Sequence, residues 1–276
     1  MKQGYALGVD VGGTKIEAVL VDDTGAIISR YSTEAHSERE PEVVLDYMQE
    51  ACEQVIATSG VSRELIVGIG VGFAGNVNGP AGIVLISSNL PAWDHYPLRD
   101  NFAERMGLPV LLDNDANMGA LAEHRYGAGR GTTNMCYVTY STGYGAGIIA
   151  NGKLYVGNTG NAGEVGHVVI TPHDGPPCSC GKKGCIMAYA SGVGISRMLY
   201  EAIDAGEETV LREQIPEGRK RFHGAVVAHA AADGDAVAKR VLDTSGYYAG
   251  IGLSVLIEVL NPELIVLGGG LLQIGD

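Results

Sequence analysis

The stretch that decides the fold is YALGVDVGGTKIEAVLVDDTGAIISRY, residues Tyr5–Tyr31. It opens with an apolar run rich in β-branched residues, Tyr5–Val11, and continues after a glycine pair in a second apolar run, Ile16–Val21. Runs of this composition and length predict β-strands. Asp22-Asp23-Thr24-Gly25 then predicts a hairpin turn into a third strand, Ala26–Tyr31. The expected order is strand, glycine turn, strand, tight turn and strand.

The same organisation returns between residues 132 and 155. The pattern predicts a strand, a glycine turn, a second strand, a tight turn and a third strand at Met135–Ser141, Thr142–Gly147, Ile148–Ala150, Asn151-Gly152 and Lys153–Val156. Closely spaced glycines let backbone N–H groups approach phosphate oxygens. Two such turns facing one cleft would hold one polyphosphate. The duplication therefore predicts an ATP-type ligand, with Thr142, Gly143 and Gly145 as contacts from the second turn.

The first glycine turn offers several groups that suit a phosphate. Gly12 and Gly13 can present backbone N–H groups, while Thr14 adds a hydroxyl and Lys15 a positive charge. Asp10 precedes them and could hold Mg²⁺ through water. A plain glycine hairpin without a ligand remains the alternative for this turn alone. The spacing of a P-loop is absent from it.

The remaining segments alternate between helices, short apolar strands and loops. Periodicity predicts helices at Pro41–Thr58, from Asp115 through Arg125, at Gly194–Ala205, Gly224–Ala232 and Asp235–Leu260, the last with candidate break points at Gly250 and Gly252. Short apolar runs predict buried strands at Ile66–Gly72, Pro109–Leu112 and Leu264–Leu267. Gly72–Gly82 and Ser87–Pro97 are predicted to be loops.

A cluster of metal-binding residue types lies in EVGHVVITPHDGPPCSCGKKGC, Glu164–Cys185. His167, Cys178, Cys180 and Cys185 make a four-ligand set for a structural Zn²⁺, with no position left open. A redox pair or a disulfide is the alternative. Cysteines separated by one residue, such as Cys178 and Cys180, make a poor disulfide, so zinc is the favoured interpretation.

Asp113-Asn114-Asp115-Ala116-Asn117 follows a short strand and opens a helix. Asp115 is a plausible N-cap there, because a carboxylate accepts hydrogen bonds from the first N–H groups of a helix. A carboxylate at a strand-to-helix corner beside a cleft could also take the proton from an attacking hydroxyl. Both roles are compatible, and we favour the base.

E-V-G-H followed by C-x-C-G-x-x-G-C resembles the signature of the ROK family of sugar kinases and sugar-responsive repressors. The duplicated strands resemble the actin/hexokinase/Hsp70 superfamily, to which that family belongs. The resemblance implies an α/β protein with the two-domain actin-like ATPase (ribonuclease H-like) fold and an interdomain cleft. We expect the domains to span residues 1–116 and 117–276.

The resemblance also implies an ATP- and Mg²⁺-dependent hexose kinase with a structural Zn²⁺. Asp115 would be the general base for the sugar 6-hydroxyl, and glucose is the first choice of sugar. Kinases for N-acetylmannosamine, fructose and allose share the matched residues and remain alternatives. The implied sugar contacts are Gly75, Asn89, Asn114, Asp115, Glu164 and His167, and the adenosine contacts are Gly268, Gly269 and Gly270.

Two departures from the family pattern bear on activity. Family members usually carry a sugar-facing glutamate two residues after the last zinc cysteine, where this chain has Met187. They also continue for a few dozen residues past the glycine triplet, whereas this sequence stops at Asp276. A sugar-binding protein with weakened kinase activity is therefore the main rival. A repressor would carry a helix-turn-helix domain before the first strand, and only four residues precede Tyr5.

Composition limits the partners of the protein. The chain has 276 residues and a formal net charge of −13, which argues against a nucleic-acid surface. No signal segment precedes the first strand and no apolar run approaches the length of a membrane span, so we expect a cytoplasmic protein. Its expected partners are a sugar and a nucleotide. The family resemblance implies a homodimer or homotetramer.

Overall fold

A computed structural model describes residues 4–13, 15–35, 40–87 and 91–273. The chain forms two compact units, one of Met1–Arg130 with Tyr155–Ala162, the other of Gly131–Leu154 with Gly163–Asp276. The division places the helix that begins at Asp115 in the first unit, whereas the boundary expected from the sequence lies between residues 116 and 117. Each unit contains its own mixed sheet and its own helices.

The first unit is built on a five-stranded sheet in the order β3-β2-β1-β4-β7. Strands β1 to β3 are antiparallel neighbours, while β4 pairs parallel to β1 and β7 pairs parallel to β4. A two-stranded sheet of β5 and β6 stands apart from it. The elements are β1 Tyr5–Val11, β2 Lys15–Val21, β3 Ile27–Glu34, α1 Pro41–Ser59, β4 Ile66–Phe73, β5 Asn76–Asn78, β6 Ile83–Ile86, α2 Leu98–Met106, β7 Val110–Asn114 and α3 Asp115–Arg125.

Alternation along the strands explains why one sheet face of the first unit is covered. Leu7, Val9 and Val11 are buried at every second position of β1, as the period of two requires. Helix α1 contributes a buried stripe at helical spacing, which includes Val44 and Met48. These side chains belong to one apolar core. The helix ends at Gly60, which has a left-handed backbone with φ of 70°.

The second unit repeats the meander with its own sheet, in the order β10-β9-β8-β11. Strands β8, β9 and β10 are antiparallel, and β11 pairs parallel to β8 as β4 pairs to β1. The elements are β8 Met135–Tyr140, β9 Tyr144–Ala150, β10 Lys153–Leu154, α4 Gly192–Asp204, α5 Gly224–Ala232, α6 Ala236–Leu260 and β11 Leu264–Gly268. The predicted duplication and the α/β class are confirmed.

Several details differ from the sequence prediction. The third strand of the second meander ends at Leu154 and not at Val156. The second glycine turn is shorter than expected, because β9 already begins at Tyr144 and Gly145 pairs with Thr139 inside the sheet. The predicted loop at Gly72–Gly82 contains the end of β4 and the whole of β5. Helix α6 is unbroken. A Cβ at Gly252 would lie 2.6 Å from the Tyr144 ring, so this glycine makes room for an aromatic side chain instead of ending the helix.

One segment of the first unit comes from within the sequence of the second. Tyr155–Ala162 leaves the sheet of the second unit after β10 and packs on the first unit. A Cβ at Gly160, which has φ of 91°, would lie 2.4 Å from the carbonyl oxygen of Val77 in β5. The close approach of the two backbones therefore needs glycine at this position.

Candidate functional site

The first unit gathers polar groups where its parallel strands end. Strands β1, β4 and β7 run in the same direction, and their pairing places Asp10 beside Gly72 and Gly72 beside Asp113. The carboxyl ends of parallel strands meet at one edge of a sheet, which is where open α/β sheets bind ligands. Asp10, Gly75, Asn114 and Asp115, predicted separately from the sequence, thus belong to one edge.

The strand-to-helix corner between β7 and α3 is held by Asn114 and not by Asp115. The Asn114 Oδ1 atom accepts hydrogen bonds from the N–H groups of Ala116 at 2.9 Å and Asn117 at 3.4 Å, so Asn114 is the N-cap of α3. Its Nδ2 atom donates to the carbonyl oxygen of Gly75 at 3.0 Å. The alternative role of Asp115 as the cap is therefore wrong. Asp115 is the first residue of the helix, and its carboxylate accepts from the Ala116 N–H at 2.8 Å.

Burial changes the acid–base behaviour of Asp115. Desolvation, with a further contribution from the nearby negative charge of Asp10, raises the pKa of Asp115 to about 6. Desolvation also raises the pKa of Asp10, although Lys15 counteracts the shift. A carboxylate with a pKa close to neutrality accepts a proton more readily than an ordinary aspartate, and such a shift is typical of functional sites.

Two residues that the sequence analysis did not single out support this corner. The Asp113 Oδ1 atom accepts from the Asn114 N–H at 2.8 Å and from the Asn117 Nδ2 atom at 2.7 Å. Asn117 is 1% exposed, and its bond to Asp113 fixes the first turn of α3 against β7. The D-N-D-A-N pattern holds the signal for both residues, because short polar side chains at such spacing bind nearby backbone.

The first glycine turn is closed by its own backbone. The Gly12 N–H donates to the Lys15 carbonyl oxygen at 3.0 Å. The Lys15 Nζ atom lies 2.6 Å from Glu17 in an exposed ion pair, so a phosphate would have to compete with that carboxylate. Gly13 lies between Gly12 and Lys15 in this turn. The predicted contacts Thr14, in this turn, and Asn89, in the sugar loop, lie outside the described residues.

The second unit brings its two glycine-rich turns together. Strands β8 and β11 are parallel neighbours, and Gly268 pairs with Thr139 immediately before the turn that contains Thr142 and Gly143. A Cβ at Gly269, which has φ of 105°, would lie 2.4 Å from the Tyr140 carbonyl oxygen. A Cβ at Gly270 would lie 3.8 Å from the Ser141 hydroxyl. The triplet and the turn thus share one edge of this sheet.

His167, Cys178, Cys180 and Cys185 form a compact donor set, with all four ligand atoms within 4.8 Å of one another. The Cys178 sulfur lies 3.4 Å from His167 Nδ1, and the sulfurs of Cys180 and Cys185 are 3.7 Å apart. A tetrahedral zinc site requires about 3.8 Å between two sulfurs and about 3.6 Å between sulfur and nitrogen, from its usual bond lengths. The cluster fits that geometry. All three cysteines are free thiols, so the disulfide alternative finds no support.

The other side of the His167 ring faces a carboxylate. Its Nε2 atom lies 3.8 Å from Glu164, while Nδ1 faces the thiols. Desolvation, followed by the charge of Lys182, lowers the pKa of His167, which favours the neutral imidazole that binds metals. The two predicted sugar contacts of the second unit therefore lie together. Met187 is half-buried in the apolar cluster of this unit, with its sulfur against Gly143.

The two mixed sheets, each with helices and a repeated strand–glycine turn–strand unit, define an actin-like ATPase fold of the sugar-kinase class. A family model described as "ROK family" matches residues 6–276, and the chain therefore belongs to the ROK family. The protein is a sugar kinase.

The relatives include kinases and repressors. The glucokinase of Halalkalibacterium halodurans is 36% identical over 280 residues, which cover 100% of this chain and 83% of that protein. A solved ROK family glucokinase from Streptomyces griseus, in complex with glucose and AMPPNP, is 35% identical with a TM-score of 0.81, over 97% of this chain and 83% of that one. The xylose repressor of Bacillus spizizenii is 31% identical over 99% of this chain and 66% of its own length. No helix within the described ranges is long and apolar enough to span a bilayer.

Proposed function

We propose that the protein transfers the γ-phosphoryl group of ATP to the 6-hydroxyl of a hexose, with glucose as the first choice. The observation that carries this proposal is the position of Asp115, which lies half-buried at the strand-to-helix corner with its pKa raised to about 6. It is not used as the helix cap. The Streptomyces griseus relative, a glucokinase solved in complex with glucose and AMPPNP, supports both substrates.

The proposed chemistry assigns one task to each group of residues. Asp115 accepts the proton of the sugar 6-hydroxyl as the oxygen attacks the γ-phosphorus. A P–O bond forms to the sugar, the bond to the β,γ-bridging oxygen breaks, and ADP leaves with that oxygen. Mg²⁺, when bound, would neutralise charge on the phosphates, with Asp10 as the residue to hold it through water. Asn114 keeps one N–H of its amide for a sugar hydroxyl, because the other donates to Gly75.

The remaining assignments concern substrate contacts and the metal. Gly12, Gly13 and Lys15, together with Thr14, are proposed to bind phosphate. Thr142, Gly143, Gly145 and the triplet Gly268–Gly270 are proposed to bind the nucleotide, and Gly75, Asn89, Glu164 and His167 the sugar. Gly145 lies in β9, so it would contact the nucleotide through the backbone of that strand. His167, Cys178, Cys180 and Cys185 would hold a structural Zn²⁺, supported by the match of their distances to a tetrahedral site.

A coupled ADP-release assay over a sugar panel tests this function. The panel contains glucose, N-acetylmannosamine, fructose and allose with MgATP. A second series replaces ATP with inorganic polyphosphate and follows formation of the sugar phosphate, because that donor releases no ADP. We expect the highest kcat/KM for glucose with MgATP. A clear preference for another hexose would move the substrate assignment but leave the kinase intact. Release of ADP that is independent of every sugar would contradict the proposal.

The second candidate is a sugar-binding protein whose kinase activity is weakened. Met187 favours it, because a thioether is a weak acceptor and cannot replace a carboxylate that binds a sugar hydroxyl. A hydrogen bond to a charged group contributes about 1.5–3 kcal/mol, so its loss would weaken sugar affinity by about 10- to 150-fold. Calorimetric binding of glucose without measurable ADP release would favour this candidate.

A further inference from the structure

The glycine turn between β8 and β9 is contacted from two sides by segments that carry ligands of the His/Cys cluster. On the first side, the 3₁₀ turn Val165–His167 passes under the start of β9. A Cβ at Gly166 would lie 2.0 Å from the carbonyl oxygen of Tyr144, the residue that ends the glycine turn. The Ala146 N–H also donates to the Gly163 carbonyl oxygen at 2.9 Å. His167 therefore follows directly after a residue in tight backbone contact with the turn.

On the second side, Cys185 opens the 3₁₀ turn Ile186–Ala188. Met187 in this turn places its sulfur 3.7 Å from the position that a Cβ on Gly143 would occupy, so the thioether lies beside the middle of the glycine turn. Its Cβ lies 3.3 Å from the Cβ position of Gly166. Met187 therefore lies between the two segments and beside the glycine turn.

The helix that follows continues the same contact. Ser191 Oγ donates to the Met187 carbonyl oxygen at 2.6 Å and accepts from the Gly194 N–H at 3.0 Å, so it ties the 3₁₀ turn to the start of α4. The Gly192 N–H then donates to the Ser141 carbonyl oxygen at 2.8 Å. The backbone of the glycine turn is thus hydrogen-bonded directly to the start of α4, which Ser191 ties to the backbone of the 3₁₀ turn that contains Met187.

We propose that Met187 is a positioning residue that couples metal binding at the His/Cys cluster to the conformation of the glycine turn Ser141–Tyr144, and through it to nucleotide affinity. The inference rests on the proposed zinc site and the proposed nucleotide contacts. An ion bound by His167 and Cys185 fixes both segments relative to each other. The Met187 side chain, lodged between them, then holds the turn in its binding conformation.

The coupling has a thermodynamic consequence. If metal binding raises nucleotide affinity by a given factor, nucleotide binding must raise metal affinity by the same factor. Residues that couple two sites without touching either ligand typically change that factor by about 2- to 30-fold. Methionine suits this position because its unbranched thioether fills an irregular gap between backbone segments.

The test compares Met187→Ala with wild type, both loaded with zinc. Met187→Leu serves as the conservative variant, because leucine keeps most of the apolar volume. Met198→Ala is the matched control, since Met198 packs in a different apolar cluster of the same unit. Metal content is measured by elemental analysis, nucleotide affinity by calorimetry with a non-hydrolysable ATP analogue and Mg²⁺, and the turn by hydrogen exchange of peptides that cover residues 139–146.

We expect Met187→Ala to keep one zinc per chain, to bind the analogue about 2- to 30-fold more weakly, and to exchange faster across residues 141–144. Met187→Leu should bind the analogue and exchange across the turn nearly as wild type does, and Met198→Ala should show neither effect. Unchanged exchange across the turn in zinc-loaded Met187→Ala would overturn the proposal. Hydrogen exchange across the turn tests the role of Met187 even if wild type binds no nucleotide. Failure of wild type to bind nucleotide would instead refute the proposed function.

A second comparison separates coupling from simple loss of packing. Zinc is removed with a chelator under conditions in which circular dichroism shows that the chain stays folded. If Met187 acts through the metal site, removal of zinc should accelerate exchange across residues 141–144 in wild type and add little in Met187→Ala. Equal acceleration in both proteins would show that Met187 and the metal act independently, and would also overturn the proposal. If the zinc-free chain unfolds, zinc affinity is measured instead by chelator competition with and without the ATP analogue. A nucleotide-induced gain in zinc affinity that is equal in wild type and Met187→Ala would overturn the proposal.

Discussion

Asp115→Asn should make the protein more stable while it removes its activity. The pKa of Asp115 is raised from an ordinary value of 3.8 to about 6, with desolvation as the main cause. A difference of one pKa unit corresponds to about 1.4 kcal/mol, so the charged form costs the folded state about 3 kcal/mol. Asparagine has nearly the same shape, carries no charge, and keeps an oxygen that can accept the Ala116 N–H bond.

The pH dependence of this gain follows from the direction of the shift. Because the folded-state pKa of Asp115 is raised, folding favours the protonated carboxyl, and that contribution is complete below the unfolded pKa and lost as the pH rises through about 6. At pH 7.5 the variant should therefore exceed wild type by up to about 3 kcal/mol in the free energy of unfolding. At pH 5 the same relation leaves about half of that gain.

The assay has a stability arm and a kinetic arm. Denaturant unfolding at pH 7.5 and pH 5 measures the difference between the two proteins, and the ADP-release assay measures turnover. Turnover should fall by about 10²–10⁴-fold, the usual contribution of a general base, while calorimetric sugar affinity changes little. A variant that is no more stable than wild type at pH 7.5 would refute the desolvation argument. A loss of turnover below tenfold would refute the role as base.

Three further outcomes are expected. The kcat/KM for the sugar should decrease as the pH falls through about 6, the pKa of Asp115, because only the deprotonated carboxylate accepts a proton. A pH profile whose acidic limb lies near pH 4 would contradict this. Cys180→Ser should lose the zinc found by elemental analysis and lower the melting temperature, since metal affinity at such a site is folding energy; zinc retained at one per chain would count against the ligand set. Gly269→Ala should cost about 1–3 kcal/mol in denaturant unfolding, because φ is 105° there and a Cβ would meet the Tyr140 backbone, whereas Gly246→Ala in the open face of α6 should cost nothing.

The repeated meander could be predicted because it depends on local chemistry. The apolar runs Tyr5–Val11 and Met135–Ser141, each followed by glycines, predict strands that begin and end within one residue of those observed. Asn151-Gly152 predicts a tight turn because both residues adopt positive φ readily, and they have φ of 53° and 72°. The His/Cys cluster was equally accessible, because its spacing in the chain already restricts its geometry.

What the sequence left open depends on contacts between distant residues. Asn114 and Asp115 are both good N-cap residues, and only the bonds from Asn114 to Ala116 and Gly75 show which one caps α3. Gly252 is a candidate helix break from sequence because glycine is a weak helix former. The Tyr144 ring that explains the glycine is more than 100 residues away in the chain. No local pattern reports such a partner.

The segment Tyr155–Ala162 has a consequence for the order in which the protein is made. A ribosome that has just added Arg130 has synthesised nearly all of the first unit but not the segment whose Gly160 packs on Val77. At about 5–20 residues per second, the chain as far as Ala162 takes roughly 2–6 s more to appear. Throughout that interval the surface of β5 at Val77, which this segment covers, stays exposed in the nascent first unit. A fragment meant to represent this unit alone must therefore carry residues 155–162, because a fragment that ends at Arg130 would leave the surface of β5 permanently exposed.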